Sequence, residues 1–181
     1  MRKHLQSNEG LRVLDIGPTS PSNINYVTGL GHSIYMAHLV EEANRPEWSV
    51  QNAEGSASFD IDGFLTQNLN FSGRTFDVVT LWDMADYLPP AALPRVIERL
   101  HDVTDPGAQV LAFFHAKPTG PDTEFVRYHL TDNDTVEMQR FGSYAIQQTF
   151  TTRQVEKLFE SFSSHRSFLA KDSLREVLVT R

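Results

Sequence analysis

The 181-residue sequence predicts an α/β protein, doubly wound around a mostly parallel sheet of about seven strands. Short apolar runs alternate with helix-length stretches through the N-terminal half, as in successive βαβ units. Residues 76–81 set β-branched Val78, Val79 and Thr80 side by side, as expected of a strand buried on both faces. Residues 12–16 run into Gly17-Pro18 and then Ser20-Pro21, a strand followed by a helix start. Hydrophobic residues make up 40% and charged residues 22%, which excludes a disordered chain. At about 150 residues per domain, residues 1–181 are expected to form one domain.

Taken in order, Arg12-Val13-Leu14-Asp15-Ile16 is the first strand. Ser20 caps the next helix, Pro21 opens it, and Gly29 and Gly31 end it. Residues 33–37 form the second strand. Residues 41–53 form a short helix that Pro46 interrupts. A third, weaker strand is expected at 56–61 and the fourth at 76–81. Residues 90–101 form a helix, with Leu93, Val96, Ile97 and Leu100 at helical spacing. The turn Asp105-Pro106-Gly107 leads to a fifth strand at 109–114. A helix follows at 152–161, and strands at 167–170 and 176–180 close the sheet around Lys171-Asp172-Ser173.

Residues 116–150 are long, polar and turn-rich for a connection inside a compact domain. They leave the carboxyl edge of the sheet, where α/β proteins form their sites. With Phe125, Arg127, Tyr128, His129, Arg140 and Tyr144 they suit a cap over a small acceptor. The same residues suit a homodimer contact, and a solvated insertion is the third reading. Excision of 119–143 is expected to spare the fold, since the predicted sheet strands lie outside it.

Composition excludes several functions. Sixteen Lys and Arg against 23 Asp and Glu leave a formal net charge of −7, with no global footprint for nucleic acid. There is no cysteine, hence no disulfide, thiolate metal site or thiol nucleophile. The histidines lack metal-ligand spacing, so no metal is expected. Residues 16–40 carry no Asp, Glu, Lys or Arg, yet Pro18, Pro21, Asn23 and Asn25 make them no membrane span. No apolar signal region follows the basic start, so a cytoplasmic location is the expectation. There is no Gly-Lys-Ser/Thr phosphate loop and no Gly-x-Ser-x-Gly elbow, and none of the five tyrosines has Lys four residues on.

What remains is the first βα turn. A strand ends in Asp15, Gly17 admits close approach of a ligand to the backbone, and a capped helix N-terminus follows. Further pieces lie in order: Gly31-His32-Ser33-Ile34-Tyr35-Met36-Ala37-His38-Leu39, then Phe76-Asp77-Val78-Val79-Thr80-Leu81-Trp82-Asp83-Met84-Ala85-Asp86-Tyr87-Leu88-Pro89, then Thr104-Asp105-Pro106-Gly107. With Leu11-Arg12-Val13-Leu14-Asp15-Ile16-Gly17 in front, this order resembles the class I S-adenosylmethionine-dependent methyltransferases, especially the small type 11 group. The resemblance covers about residues 11–114 and, more weakly, the last thirty.

That resemblance implies a Rossmann-like methyltransferase fold, S-adenosylmethionine as cofactor and a small-molecule acceptor. It places Asp15 and Gly17 beside the methionine part, with Thr19 in the same loop. It puts His38 at the ribose, Leu39 against adenine and Asp62 near the adenine amino group. Asp83 would line the pocket between cofactor and acceptor. His115, at the end of the fifth strand, is the best-placed general base. Each residue also has a plain structural role: Asp15 and Asp83 as caps, His115 as a hydrogen-bonded strand end. The sequence departs from the family pattern at Thr19 and Pro21, where glycines are usual, and at His38, where an acid is usual. Losing a bidentate carboxylate weakens binding by about 2 kcal/mol, or some thirtyfold. A methyltransferase fold that binds or scaffolds without catalysis is the alternative reading.

Overall fold

The computed structural model describes residues 1–51, 55–116, 124–133, 135–169 and 174–181. Helix α1 (Arg2–Ser7) precedes β1 (Arg12–Ile16), α2 (Pro21–Gly29), β2 (Ser33–Ala37) and α3 (Leu39–Ala43). Strands β3 (Ser49–Gln51) and β4 (Ala57–Phe59) lead to α4 (Ile61–Asn68), β5 (Phe76–Trp82), α5 (Met84–Tyr87) and α6 (Leu93–Asp102). Then come β6 (Thr104–His115), β7 (Val126–Leu130), β8 (Val136–Arg140), α7 (Thr152–Leu158), β9 (Ser164–Leu169) and β10 (Leu174–Thr180).

The central sheet has the order β2-β1-β5-β6-β10-β9. β2, β1, β5 and β6 run parallel, and β10 is antiparallel to both β6 and β9. This is the expected doubly wound α/β fold, with one correction. Among the described residues the sheet has six strands, because β4, within the expected third strand, pairs with β3 in a separate hairpin. That segment is short and mostly exposed, with Ala57 and Ser58 offering little surface to bury. β2 therefore stands at the sheet edge, with Met36 42% exposed.

Local signals act as read. Ser20 Oγ accepts from Asn23 N at 3.1 Å, and Pro21 opens α2. Gly31, at φ 83°, lets the chain turn into β2. β6 starts earlier than expected because Thr104 already pairs with Phe76; the 105–107 turn is absorbed as a register shift, with Gly107 at φ 86°. The Lys171-Asp172-Ser173 turn lies outside the described residues, as do 117–123 and 134 of the insertion.

The main core packs α3 to α7 against the sheet, and a smaller cluster of Leu5, Val13, Val27 and Val78 lies under α1 and α2. Each fully buried aliphatic side chain contributes roughly 1.5–3 kcal/mol. The buried His32 ring ties the smaller cluster together: Leu11 N–H donates to Nδ1 at 3.1 Å, so Nε2–H donates to Leu5 O at 2.8 Å. The insertion folds as the β7–β8 hairpin and an extended return, and it is more than a surface flap. Phe125 and Tyr128 are buried in the main core, which removes the ground for expecting excision to spare the fold. Among the described residues, no helix is long and apolar enough to cross a membrane.

Candidate functional site

Chain order reverses at β1, which lies between β2 and β5. In open α/β sheets the crevice outside the strand carboxyl ends at such a point is where ligands bind. Asp15 and Gly17 follow from β1, His38 from β2, Trp82 and Asp83 from β5, and His115 from β6. The fold therefore brings these residues to one edge.

Asp15 is buried, and its carboxylate is already well served. Thr80 Oγ1 and Trp82 Nε1 each donate to Oδ1 at 2.6 Å. Asn23 Nδ2 donates to Oδ2 at 2.9 Å. Asn23 also donates to Tyr128 O at 3.1 Å and accepts from Leu130 N at 2.7 Å, which fastens the insertion hairpin to the first βα turn. Ser20 Oγ lies 2.7 Å from His129 Nδ1 in the same contact.

Trp82 shapes this end of the crevice. Its φ is 50°, in the left-handed region that an aromatic residue adopts only at a cost of order 1–3 kcal/mol. The ladder with β6 slips between Thr80 and Trp82. The indole thereby turns toward β1, and a Cβ built on Gly17 would meet Trp82 Cδ1 at 3.3 Å. Tyr128 covers the indole in a stack, centroids 5.0 Å apart and planes at 7°. Gly17 N–H donates to Ala37 O at 3.0 Å, and Thr19 is exposed.

His38 lies under the insertion. Phe125 stacks on its ring at 5.9 Å, with Phe141 at 5.9 Å and Tyr144 at 6.3 Å edge-on. Nδ1 is 2.7 Å from Glu41 Oε2, while Nε2 is buried without a hydrogen-bond partner. Burial holds the ring below its ordinary pKa, against the opposing pull of Glu41. Leu39 is fully buried in the main core. Asp62 is not brought to this cluster: its side chain is 81% exposed and pairs with Arg95 at 3.1 Å. The acid at the strand end is Asp60, whose Oδ1 caps α4 by accepting from Gly63 N at 3.0 Å.

The fourth-strand end carries the strongest electrostatic perturbation. Asp83 is fully buried, and the Tyr128 side chain is its hydrogen-bond partner from the insertion. Burial pushes its pKa up to about 7, against the pull of His115. Asp86, one turn on and also fully buried, accepts from His115 N at 2.7 Å and meets His115 Nδ1 at 2.7 Å with the same Oδ2. Its Oδ1 has no partner, nor does the buried Tyr87 hydroxyl. Burial raises the pKa of Asp86, Tyr87 and Tyr128, and for both tyrosines nearby Asp83 adds to the rise. The extended return is pinned here, with Gln147 N donating to Asp86 O at 2.7 Å.

Asp86 escaped the sequence reading although its spacing was visible: Asp83-x-x-Asp86 sets two carboxylates on one face of a single helical turn. Asn23 and Tyr128 carried no such local signal. Among the described residues, no group of three or more His, Asp or Glu is placed to hold a metal ion.

No protein-family profile and no curated protein matches the chain. Solved structures share its architecture. An S-adenosylmethionine-dependent methyltransferase from Methanosarcina mazei has TM-score 0.55 at 16% identity, covering 99% of this chain and 96% of its own. The 1,6-didemethyltoxoflavin-N1-methyltransferase of Burkholderia thailandensis, solved with its substrate and S-adenosylhomocysteine, has TM-score 0.53 at 15% identity, covering 98% and 74%. The magnesium protoporphyrin IX methyltransferase of Synechocystis, solved with S-adenosylmethionine, has TM-score 0.52 at 16% identity, covering 99% and 73%. The chain thus has the fold of the S-adenosylmethionine-dependent methyltransferases.

Proposed function

We propose that the protein is an S-adenosylmethionine-dependent methyltransferase acting on a small-molecule acceptor. One observation carries the reading. The carboxyl edge of the sheet keeps buried polar atoms without protein partners, Oδ1 of Asp86, the Tyr87 hydroxyl and Nε2 of His38, beside the buried Asp83 carboxyl that Tyr128 engages. Leaving such atoms unpaired costs about 1–3 kcal/mol each, and a core built for stability alone avoids it. They lie where the resemblance places cofactor and acceptor.

The residues fit the cofactor chemically. A carboxylate only accepts, so Nδ1 of His38 carries the proton toward Glu41, and Nε2 offers a lone pair for one ribose hydroxyl. Leu39 supplies apolar wall, and Asp15 with Gly17 forms the end nearest the methionine part. Asp62 contributes nothing from its exposed position. Trp82 Cδ1 stands 3.3 Å from where a Gly17 Cβ would be, so a ligand entering on that side of Gly17 has to shift the indole. When bound, the cofactor supplies a methyl group on a sulfonium. An acceptor lone pair would displace the sulfonium there, with the C–S electron pair left on sulfur. The protein contributes alignment, water exclusion under the insertion, and proton removal. Asp86 Oδ2 meets His115 Nδ1 and so fixes the ring at the end of β6, where its charge acts on Asp83.

A second reading, a methyltransferase fold that binds or scaffolds without catalysis, is favoured by Trp82 on Gly17 and by the three donors on Asp15. Calorimetric titration with S-adenosylmethionine and S-adenosylhomocysteine separates the two. Saturable binding supports the enzyme. No heat at millimolar ligand sinks it and leaves the scaffold.

A further inference from the structure

We propose that the acceptor is an amine, taken up as its cation by Asp83 and Asp86 at the carboxyl ends of β5 and β6. This rests on the methyltransferase reading above and names the substrate class of the same site.

Hydrogen-bond arithmetic comes first. Tyr128 takes one hydrogen-bonding position on buried Asp83, which leaves at least two buried carboxylate oxygens, one on Asp83 and Oδ1 of Asp86, open to a donor among the described residues. A primary ammonium has three N–H donors and no acceptor. A hydroxyl offers one donor, and a carboxylate or phosphate offers repulsion from two buried acids.

The surroundings have the same sense. Trp82 and Tyr128 lie stacked beside Asp83, and Tyr87 meets Phe125 edge to face at 4.9 Å. Aromatic faces attract a cation, most strongly once it is desolvated. The ionisable groups facing the two acids are few. His115 from β6 acts on both, Tyr128 from β7 and Tyr87 from α5 face Asp83, and Arg175 from β10 reaches Asp86 only through space. Arg175 Nη1 donates instead to Phe150 O at 3.0 Å. Among the described residues no Lys or Arg is paired with Asp83, although a buried carboxylate without a countercharge is among the costliest groups a core can hold.

Proton transfer follows without a further reagent. An N–H bond of the ammonium breaks, its proton forms an O–H bond with the Asp83 carboxylate, and the electron pair stays on nitrogen as the nucleophile. Asp83, ionised by the bound cation, lies within the buried pair as the acceptor for this proton.

The test is calorimetry at pH 6.5, in buffers of different ionisation enthalpy, with saturating S-adenosylhomocysteine present. The probes are ethylamine, phenethylamine and tryptamine, with 2-phenylethanol as neutral isostere and 3-phenylpropanoate as anion. At least one amine is expected to bind, with the alcohol tenfold weaker or worse and no binding of the acid. Binding is expected to release protons, because a cation drives Asp83 to its ionised form. Asp83→Asn and Asp86→Asn, each checked for folding by circular dichroism, should lose amine affinity tenfold or more. Asp83→Asn should also abolish the proton release. Amines bound no better than the alcohol, or bound equally by both variants, overturn the proposal. Competition between amine and S-adenosylhomocysteine also overturns it, since the cation would then be the cofactor's own amino group. Failure of S-adenosylhomocysteine to bind at all condemns the methyltransferase reading instead, and the amine titrations without it still report on the cluster.

Discussion

Replacing Asp83 with Asn should stabilise the protein, and only above acidic pH. The wild-type carboxyl rises from 3.8 to about 7 on folding, chiefly through burial. Between pH 4 and 7 the unfolded chain has given up this proton while the folded chain still holds it. The unfolded state binds fewer protons there, so wild-type stability falls as pH rises, with the loss complete above pH 7. At 1.36 kcal/mol per pH unit the loss is on the order of 4 kcal/mol. Asn resembles the neutral carboxyl in shape and carries no charge at any pH. The two proteins should therefore unfold at similar denaturant concentrations at pH 4. A gap of about 4 kcal/mol in favour of the variant should open by pH 8, at unchanged m-value. Urea denaturation of both proteins across this range makes the measurement. A gap that does not grow with pH, or that grows in favour of the wild type, would show that Asp83 is ionised and well solvated in the folded protein. The buried acid would then carry no argument for function.

Asn23→Ala removes hydrogen bonds to Asp15 and Tyr128 O and from Leu130 N, each worth about 1 kcal/mol, so a loss of about 3 kcal/mol is expected. Amide exchange at Leu130 should accelerate with it, and a loss below 1 kcal/mol would mean that the hairpin is held elsewhere. Gly17→Ala should cost about 1 kcal/mol in denaturation, because its Cβ pushes the indole of Trp82 away by a few tenths of an ångström. A neutral result places the indole off Gly17 in solution. His38→Ala should weaken S-adenosylhomocysteine about tenfold by calorimetry, through loss of one acceptor. Unchanged affinity puts the ribose elsewhere.

Much of the scaffold was legible because its signals are local. Ser20 and Pro21 start α2, Gly31 ends the turn after it, and the β-branched run ending at Leu81 forms a buried strand whatever surrounds it. The third strand misled because Ala57, Ser58 and Phe59 look extended in isolation, while their pairing depends on a partner. Whether that partner is β2 or β3 is a tertiary question that propensity does not answer. The site divides the same way. Asp15, His38 and His115 could be placed at the sheet edge from strand ends alone. The bonds that engage them join distant residues, with Trp82 67 positions from Asp15 and Leu130 107 from Asn23. Trp82 stands in the fourth-strand motif with nothing local to mark its direction. Only its positive φ and the slipped ladder turn it onto Gly17, and no spacing rule announces that.

The most direct test is whether S-adenosylhomocysteine displaces Trp82 from the first βα turn. Two indole N–H resonances are expected from Trp48 and Trp82, and a Trp48→Phe variant assigns them. Trp82 Nε1–H, bonded to Asp15, should lie downfield and exchange slowly. Titration with S-adenosylhomocysteine should move this signal saturably and speed its exchange as the bond to Asp15 breaks. If it stays fixed and protected at millimolar ligand, the cleft is closed to the cofactor and the protein is no methyltransferase.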